Sequence, residues 1–256
     1  MTDHAAHANS FGPVADLYDR ARPTYPAVAL DWLLEWPAPG SSSAGVLPRV
    51  IDLGAGTGKL TRLIRDRGLP VTAVEPSPGM RAQLAASVPG VPVVDGSAES
   101  MPLPSGSADV VLVAQAWHWM DPARAVPEVA RVLAPGGRLG LLWNVRDDRA
   151  DWVRRLDEII GNRDCASDEA AVIGAPFEPV ERRSFPWVHT IGPSLLQDLV
   201  ASRSAVILLP ADERAALLRE VRQLVATHPD LVGRTDFSLP YVTYCTRASL
   251  PSNSRS

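Results

Sequence analysis

The feature that most constrains this chain is the segment VIDLGAGTGKL at 50–60. A short apolar run leads into Gly54, Gly56 and Gly58, and a helical pattern follows. Glycine lets the backbone turn at positive φ, and it lets a ligand approach the main chain without a Cβ in the way. In an α/β sheet, such a turn lies at the carboxyl end of a strand, where ligands bind. The segment therefore predicts a strand, a ligand-binding turn and a helix.

Apolar runs and helical patterns alternate along most of the chain. This alternation predicts βαβ units and a parallel sheet. Strands are expected at 49–53, 71–74, 91–94, 108–114 and 138–143, with helices at 61–67, 79–87 and 122–133 and a turn at 135–137. Further helices are expected at 151–160, 194–208 and 211–226, and strands at 185–190 and 237–246. We therefore expect an α/β fold with a doubly wound, mostly parallel sheet of seven strands.

Length and composition indicate one globular unit. We expect its three segments, at 1–36, 37–146 and 147–256, to belong to the same domain. Hydrophobic residues make up 46% of the chain and charged residues 21%, which excludes a disordered or coiled-coil chain. The net charge of −4 provides no broad positive field for nucleic-acid phosphates. We accordingly expect no nucleic-acid partner.

The cysteines and histidines do not follow the spacing of a metal site or a disulfide framework. There are two cysteines and five scattered histidines, so we expect neither a structural metal nor a fold stabilised by a disulfide framework. No apolar run reaches the length of a membrane-spanning helix, and the N-terminus shows no signal-peptide pattern. These patterns predict a cytoplasmic protein with no membrane partner.

The glycine turn can be compared with the loop patterns of three classes of ligand. A Walker A loop, GxxxxGK[ST], does not match, because Leu53 stands where its first glycine should be and Leu60 follows the lysine. A dinucleotide loop needs GxGxxG, whereas the third glycine here arrives one residue early. An S-adenosylmethionine loop has the form D/E-x-G-x-G-x-G, which Asp52 completes. Glu75, at the end of the next expected strand, can accept both hydroxyls of a ribose, and this by itself indicates only a nucleoside.

Four segments together resemble the class I S-adenosylmethionine-dependent methyltransferases. They are VIDLGAGTGKLT (50–61), VTAVEPSPGM (71–80), DGSAESMPLPSGSADVVLVAQAWHWMD (95–121) and EVARVLAPGGRLGLLWN (128–144). The resemblance is to the small-molecule branch that includes ubiquinone/menaquinone-type, trans-aconitate-type and natural-product enzymes. It implies a Rossmann-like sheet whose last strand is antiparallel, and S-adenosylmethionine as cofactor. It also implies a helical cap at 1–36, a cofactor-binding core at 37–146, and lid helices with C-terminal strands at 147–256 that complete the same domain.

The resemblance also implies a role for individual positions around the cofactor. The three glycines would pass under the methionyl part and the ribose. Asp52 would hold a water or the methionine amino group, and Glu75 would bind the ribose hydroxyls. The cofactor-binding set so implied is Tyr18, Arg22, Asp52, Gly54, Ala55, Gly56, Gly58, Glu75, Pro76, Met80, Ala98, Glu99, Ala114 and Gln115.

At the adenine, Pro76 and Met80 would flank the ring, and Ala98 and Glu99 would face its edge. The family often has aspartate where this chain has Ser97, which puts the usual carboxylate contact to the adenine amine in doubt; Glu99 is the candidate substitute.

Two further groups of positions would meet the methionine end of the cofactor. Ala114 and Gln115, at the end of the fourth strand, would border the sulfonium. Tyr18 and Arg22 are candidates to meet the methionine carboxylate, which an arginine can bind with two hydrogen bonds. The alternative is that both residues only cover the sheet.

Methyl transfer from a sulfonium is an in-line displacement, and it needs a general base only when the pKa of the acceptor is high. His118, just past the fourth strand, is the candidate base; it could equally hydrogen-bond the acceptor or form part of the wall. Trp117, Trp119 and Trp143 would stack on a flat substrate or cage the sulfonium, and the alternative is core packing. Asn144 would offer its amide to the substrate.

The leading hypothesis is methyl transfer to an oxygen or sulfur of a small-molecule acceptor, which includes a thiol-specific enzyme. Apolar residues at 206–209 would suit a neutral, hydrophobic acceptor. The alternatives are an NAD-dependent oxidoreductase, if the glycine turn is misread, and a non-catalytic S-adenosylmethionine-binding protein. Either a monomer or a homodimer is compatible with the sequence.

Overall fold

The computed structural model describes residues 21–35, 47–161 and 173–252, so the prediction for Tyr18 lies outside the described residues. The described helices are α1 (Ala27–Leu33), α2 (Lys59–Arg65), α3 (Pro78–Ser87), α4 (Pro122–Val132), α5 (Asp151–Ile160), α6 (Pro193–Ala201), α7 (Ser204–Ile207) and α8 (Ala211–Thr227). The strands are β1 (Val50–Leu53), β2 (Val71–Val74), β3 (Val93–Val94), β4 (Ala108–Ala114), β5 (Leu133–Arg146), β6 (Val180–Ile191) and β7 (Phe237–Ser249).

The strands form one seven-stranded sheet in the order β3-β2-β1-β4-β5-β7-β6. The five strands from β3 to β5 are parallel to one another, and β7 runs antiparallel to both β5 and β6. The predicted Rossmann-like sheet with an antiparallel last strand is therefore confirmed. The strand order reverses between β1 and β4, which places the glycine turn after β1 at the switch point where such sheets bind ligands.

Helices cover both faces of the sheet, as the continuous apolar run of β4 predicts. On one face, buried residues of α1 and α2 such as Leu33 and Ile64 pack against the sheet. On the other face, α4 contributes Val126 and Val129 to a second cluster. A third cluster joins α5, α6 and α8 to the start of β7, and it lies beyond the carboxyl end of β5.

The turn predicted at 135–137 is wrong in one respect, because this segment lies inside β5. The register jumps from Ala108 opposite Leu133 to Val110 opposite Arg138, so three extra residues bulge out of β5. Gly136 takes φ +78°, and a Cβ on Gly137 would lie 2.8 Å from the Ala134 carbonyl oxygen. The glycines thus permit a bulge that keeps the strand continuous, which local turn chemistry does not reveal.

The helix predicted at 194–208 is divided into α6 and α7. The hydroxyl of Ser202, just after α6, donates a hydrogen bond of 2.8 Å to the Leu199 carbonyl. Serine hydroxyls compete in this way with backbone hydrogen bonds and favour helix ends. In the part of the chain described here, no helix is long and apolar enough to cross a membrane.

A buried arginine ties α1 to the two antiparallel strands. Arg247 donates to the Trp32 carbonyl (3.0 Å), to Glu35 (2.8 Å) and to Glu181 (3.0 Å), and its guanidinium lies 4.5 Å from the centre of the Trp32 ring. Its hydrogen bonds lower the pKa of both carboxyls. Because Glu35 and Glu181 can rehydrate, we expect Arg247→Met to lower the free energy of unfolding by about 2 kcal/mol.

Urea denaturation measures this effect, and Arg182→Met is the matched control because Arg182 is exposed on β6, the edge strand that also carries Glu181. An equal loss of stability in the two variants would show that the contacts of Arg247 contribute nothing specific.

Candidate functional site

The glycine turn is anchored to the neighbouring strand. The backbone amides of Gly54 and Ala55 both donate to the Val74 carbonyl, at 2.8 and 3.2 Å. Gly54, Gly56 and Gly58 take φ values of +70°, +55° and +88°. Positive φ costs an L-residue roughly 1–2 kcal/mol, so glycine is the residue that fits each of these positions. The turn therefore depends on its glycines for backbone geometry.

The surroundings of the three glycines differ. A Cβ on Gly58 would lie 2.8 Å from Leu84 Cγ, and one on Gly54 would lie 2.9 Å from Ala116 Cβ. A Cβ on Gly56 would meet nothing within 4 Å. Gly54 and Gly58 are therefore required for packing, whereas the middle of the turn at Gly56 faces open space that a ligand can fill.

The carboxylate of Glu75 lies directly on the turn. Its Oε2 accepts a hydrogen bond of 2.9 Å from the Gly56 amide, and its Oε1 accepts one of 2.9 Å from the Ser77 amide. Burial raises the pKa of Glu75, and the two backbone hydrogen bonds oppose this shift. Each carboxylate oxygen keeps a further lone pair for a ligand hydroxyl. The acidic residue expected one strand over is thus in contact with the glycine turn.

Asp52 is completely buried beneath the turn. Its Oδ2 accepts a hydrogen bond of 2.5 Å from the Thr61 hydroxyl, whereas its Oδ1 has no hydrogen-bond partner among the described residues. The pKa of Asp52 is raised to about 7, mainly by burial; the hydrogen bond from Thr61 opposes this shift, and the charge of the nearby Glu75 adds to it. A buried acceptor without a partner is costly, so this oxygen is suited to a donor brought by a ligand or a water.

Arg81 holds the segment that follows β2. Its Nη1 donates to the carbonyls of Glu75 (2.9 Å) and Pro76 (2.7 Å), and its guanidinium pairs with both oxygens of Asp95. This clamp fixes the backbone that carries the Glu75 carboxylate. The sequence analysis missed Arg81, and no motif spacing could have revealed a contact that depends on where β3 ends.

The residues expected around an adenine have different exposures. Pro76 is exposed, whereas Met80 and Ala98 are 5% and 3% exposed. Glu99 accepts a hydrogen bond of 3.0 Å from the Asp121 amide at the start of α4. Burial raises the pKa of Glu99, but the hydrogen bonds from Asp121 and Ser97 outweigh it, so the pKa is lowered. Glu99 therefore already links the loop that follows β3 to the start of α4.

The end of β4 carries an unusual backbone conformation. Gln115 takes φ +57°, in the left-handed region that side chains disfavour. Its amide donates to the Leu142 carbonyl (3.0 Å), and its side-chain Nε2 donates to the Asn144 carbonyl (3.2 Å). Such strained residues concentrate at functional sites, where the surroundings hold them in place. Ala114 precedes this bend and is half-buried.

The side chain of Asn144 is engaged in holding the fold. It donates to the Thr24 carbonyl at 2.9 Å and accepts from the Thr243 hydroxyl at 2.6 Å. The predicted role of its amide in substrate binding would require one of these bonds to be exchanged.

The three tryptophans at this edge are not equivalent. Trp117 and Trp143 are 1% and 4% exposed and belong to the core, so they present no open ring face to a substrate. Trp119 is 40% exposed and packs against His118, with ring centres 4.6 Å apart. His118 is also exposed. The exposed pair lies on the short 3₁₀ turn at 117–119, just past β4.

Arg22 contacts the segment that follows α6. Its Nη2 donates to the Ser202 carbonyl at 3.4 Å, so the guanidinium lies against the end of α6. Its predicted contact with a methionine carboxylate stays a prediction.

The comparisons with known proteins agree with this geometry. Residues 51–141 match the family model described as "Methyltransferase domain". A Mycobacterium tuberculosis protein described as an uncharacterized methyltransferase is 52% identical over 241 residues, which are 94% of this chain and 96% of that protein.

Solved structures show the same fold. A protein from Anaeromyxobacter dehalogenans, described as a candidate type II methyltransferase, aligns with a TM-score of 0.62 and 24% identity over 90% of this chain and 99% of its own. A Haemonchus contortus phosphoethanolamine N-methyltransferase with bound S-adenosylhomocysteine aligns with a TM-score of 0.53 and 15% identity over 97% of this chain and 59% of its own. With the glycine turn, the contact of Glu75 with it and the strand order, these similarities show that the chain belongs to the class I S-adenosylmethionine-dependent methyltransferases.

Proposed function

We propose that this protein transfers a methyl group from S-adenosylmethionine to an oxygen or sulfur of a small-molecule acceptor. The observation that carries the proposal is the Glu75 carboxylate, which follows β2 and accepts a hydrogen bond from the Gly56 amide in the turn after the neighbouring β1. In this proposal Glu75 is the acceptor for the ribose hydroxyls, and its contact with a turn that is open at Gly56 supports that role.

The residues of the turn fit the cofactor. Glu75 would hold the ribose through its remaining lone pairs, and the Oδ1 of Asp52 would accept a hydrogen bond from the methionine amino group or from a water. The turn itself contains no bulky side chain between Gly54 and Gly56, which lets the methionyl part lie against the backbone. Among the described residues, no group of three or more histidine, cysteine, aspartate or glutamate side chains could hold a metal ion.

The cofactor supplies a methyl group that its positive sulfur already activates. What the chain must do is align an acceptor behind the methyl group and exclude water. The bend at Gln115 and the exposed pair His118 and Trp119 lie just past β4, next to the turn, and they are our candidates for the wall that positions the acceptor. In this proposal His118 is the group that accepts the acceptor proton or hydrogen-bonds the acceptor.

The experiment that tests the cofactor is calorimetric titration with S-adenosylhomocysteine. We expect binding, and an absence of binding at millimolar ligand would end the proposal. Transfer of label from methyl-labelled S-adenosylmethionine to phenols, carboxylates and thiols separates an oxygen from a sulfur acceptor. Binding without turnover on any acceptor would favour the non-catalytic alternative, and binding of a nicotinamide cofactor in its place would favour the oxidoreductase.

The glycines offer a test that separates packing from ligand space. We expect Gly58→Ala to lower the free energy of unfolding by about 3 kcal/mol, because positive φ and the contact with Leu84 both oppose a methyl group. Gly56→Ala should cost only about 1–2 kcal/mol from its positive φ, yet weaken S-adenosylhomocysteine binding at least tenfold because its methyl group enters the ligand space. Urea denaturation and calorimetry measure the two effects. Unchanged affinity in Gly56→Ala would place the ligand elsewhere.

The role of His118 is tested by its pH profile. If His118 accepts a proton, the rate of the wild type should fall on the acid side, and His118→Gln should be slower and lose this acid-side decline. If it only hydrogen-bonds the acceptor, the variant keeps the shape of the profile and its KM rises. If His118→Gln changes neither the pH profile nor KM, His118 is not part of the site.

A further inference from the structure

Arg81, one turn into α3, joins the ends of two neighbouring strands. Its Nη1 donates to the carbonyls of Glu75 and Pro76, which follow β2, at 2.9 and 2.7 Å. The same guanidinium donates to both carboxylate oxygens of Asp95, which follows β3, at 2.9 and 3.0 Å. One side chain therefore connects the segment that carries the proposed ribose acceptor to the segment 95–99, whose Ala98 and Glu99 are expected at the adenine edge.

The position of the Glu75 carboxylate depends on the backbone that Arg81 holds. The two oxygens of the carboxylate accept hydrogen bonds from the amides of Gly56 and Ser77. The backbone N–H of Glu75 donates to the Val94 carbonyl at 3.1 Å. The N–H groups of this segment are thus held by the sheet and the carboxylate, whereas its carbonyls are held by Arg81. Without the guanidinium these carbonyls can turn, and the carboxylate moves with them.

Arg81 also favours the ionised form of this buried carboxylate. Glu75 is 7% exposed, and burial raises its pKa, whereas the positive charge of Arg81 is one of the influences that lower it. The negative charge of Glu75 acts in turn on Asp52 of β1, whose pKa it raises. A hydroxyl donates a stronger hydrogen bond to an ionised carboxylate than to a neutral acid. The charge of Arg81 therefore supports the form of Glu75 that is suited to a ribose.

The contacts of Arg81 are poorly placed to stabilise the fold as a whole. The side chain of Asp95 is 72% exposed and that of Arg81 is 21% exposed. An ion pair with so exposed a partner contributes little to folding, because water and salt screen it. Pro76 is exposed as well, so its carbonyl can accept a hydrogen bond from water instead. Loss of Arg81 should therefore change the geometry of the site more than the stability of the chain.

We propose that Arg81 is a positioning residue for the cofactor, which sets the place of the Glu75 carboxylate relative to the segment 95–99. The inference rests on the proposed function. In this role Arg81 acts through Glu75, and Asp95 orients the guanidinium so that its Nη1 reaches the two carbonyls. Arginine suits the task because its planar donors can bind a carboxylate with two hydrogen bonds and still donate to backbone carbonyls.

A double-mutant cycle tests whether Arg81 acts through Glu75. We expect Arg81→Met to weaken S-adenosylhomocysteine binding roughly tenfold, which lies in the range for groups in contact, and to have little further effect in the Glu75→Gln background. Calorimetry measures the tighter complexes and ligand-observed NMR the weaker ones. 5′-Methylthioadenosine, which lacks the methionine part, should lose affinity by the same factor. Equal losses in both backgrounds, or an unchanged affinity for 5′-methylthioadenosine, would overturn the inference.

Two further variants separate positioning from folding. Arg81→Lys keeps a charged donor, so it should bind more tightly than Arg81→Met; equal affinities would contradict a role for these donors. If Arg81→Met fails to fold, as judged by urea denaturation, the cycle is run with Arg81→Lys.

Arg49→Met is the matched control. Arg49 binds both oxygens of Asp109, at 2.9 and 2.8 Å, just before β1 and therefore at the edge of the sheet opposite the glycine turn. We expect this variant to bind S-adenosylhomocysteine like the wild type. A loss equal to that of Arg81→Met would mean that removal of any such arginine weakens binding, which overturns the inference. If the wild type itself does not bind S-adenosylhomocysteine, the proposed function fails instead.

Discussion

Glu75→Gln is expected to weaken S-adenosylhomocysteine binding at least 100-fold while the fold persists. Both carboxylate oxygens accept backbone hydrogen bonds, from the Gly56 and Ser77 amides. A glutamine has one acceptor oxygen, so its amide nitrogen would face one of these N–H groups. The ribose would also lose a charged acceptor. Hydrogen bonds to charged groups contribute about 1.5–3 kcal/mol each, so weakening the bonds from the two ribose hydroxyls gives an effect of this size.

Calorimetry at fixed pH measures this loss, and far-UV circular dichroism shows whether the sheet is intact. Glu213→Gln is the matched control, because Glu213 is an exposed glutamate in the first turn of α8. If Glu75→Gln binds as tightly as this control, the carboxylate does not hold the ribose and the proposed cofactor site is wrong.

Asp52 is expected to make the protein less stable as the pH rises from about 4 to about 7. Its carboxyl has an ordinary pKa of 3.8, and burial raises the pKa to about 7 in the folded chain. Between these values the unfolded chain has released its proton and the folded chain has not, so raising the pH favours unfolding. The full difference corresponds to roughly 4 kcal/mol.

Asp52→Asn should remove this dependence, because an amide keeps the shape of the protonated acid and can still accept the hydrogen bond from Thr61. At pH 8 the variant should be more stable than the wild type by roughly 2–4 kcal/mol, whereas its affinity for S-adenosylhomocysteine should fall because the anion is lost. Urea denaturation at pH 5.5 and pH 8 measures the difference, with Asp212→Asn at an exposed position as the control. Parallel stability profiles for the wild type and Asp52→Asn would contradict the buried, protonated carboxyl.

The sequence alone determined the succession of strands and helices along the core and the place of the glycine turn between β1 and α2. β4 was predicted with both of its ends correct, at Ala108–Ala114, because a strand that is buried on both faces is a continuous apolar run. Helix α5 was likewise predicted over its whole length, Asp151–Ile160, from its periodicity. Glu75 could be placed at the turn because adjacent parallel strands end at the same edge of the sheet.

Tertiary structure decided which polar groups meet. Asp52 and Thr61 pair because α2 folds back over β1, and Arg81 reaches Asp95 because β3 ends beside α3. The burial of Trp117 depends on how α4 packs against the sheet, which local periodicity does not encode.

Arg247 shows the same limit over a longer range. Its partners Trp32, Glu35 and Glu181 lie 215, 212 and 66 residues away in the sequence, and no local pattern of charge relates them to it. Periodicity records which face of an element is apolar, so it predicts elements and the edges where strands end. The partners of a charged side chain depend on the path of the whole chain, and only the folded structure brings them together.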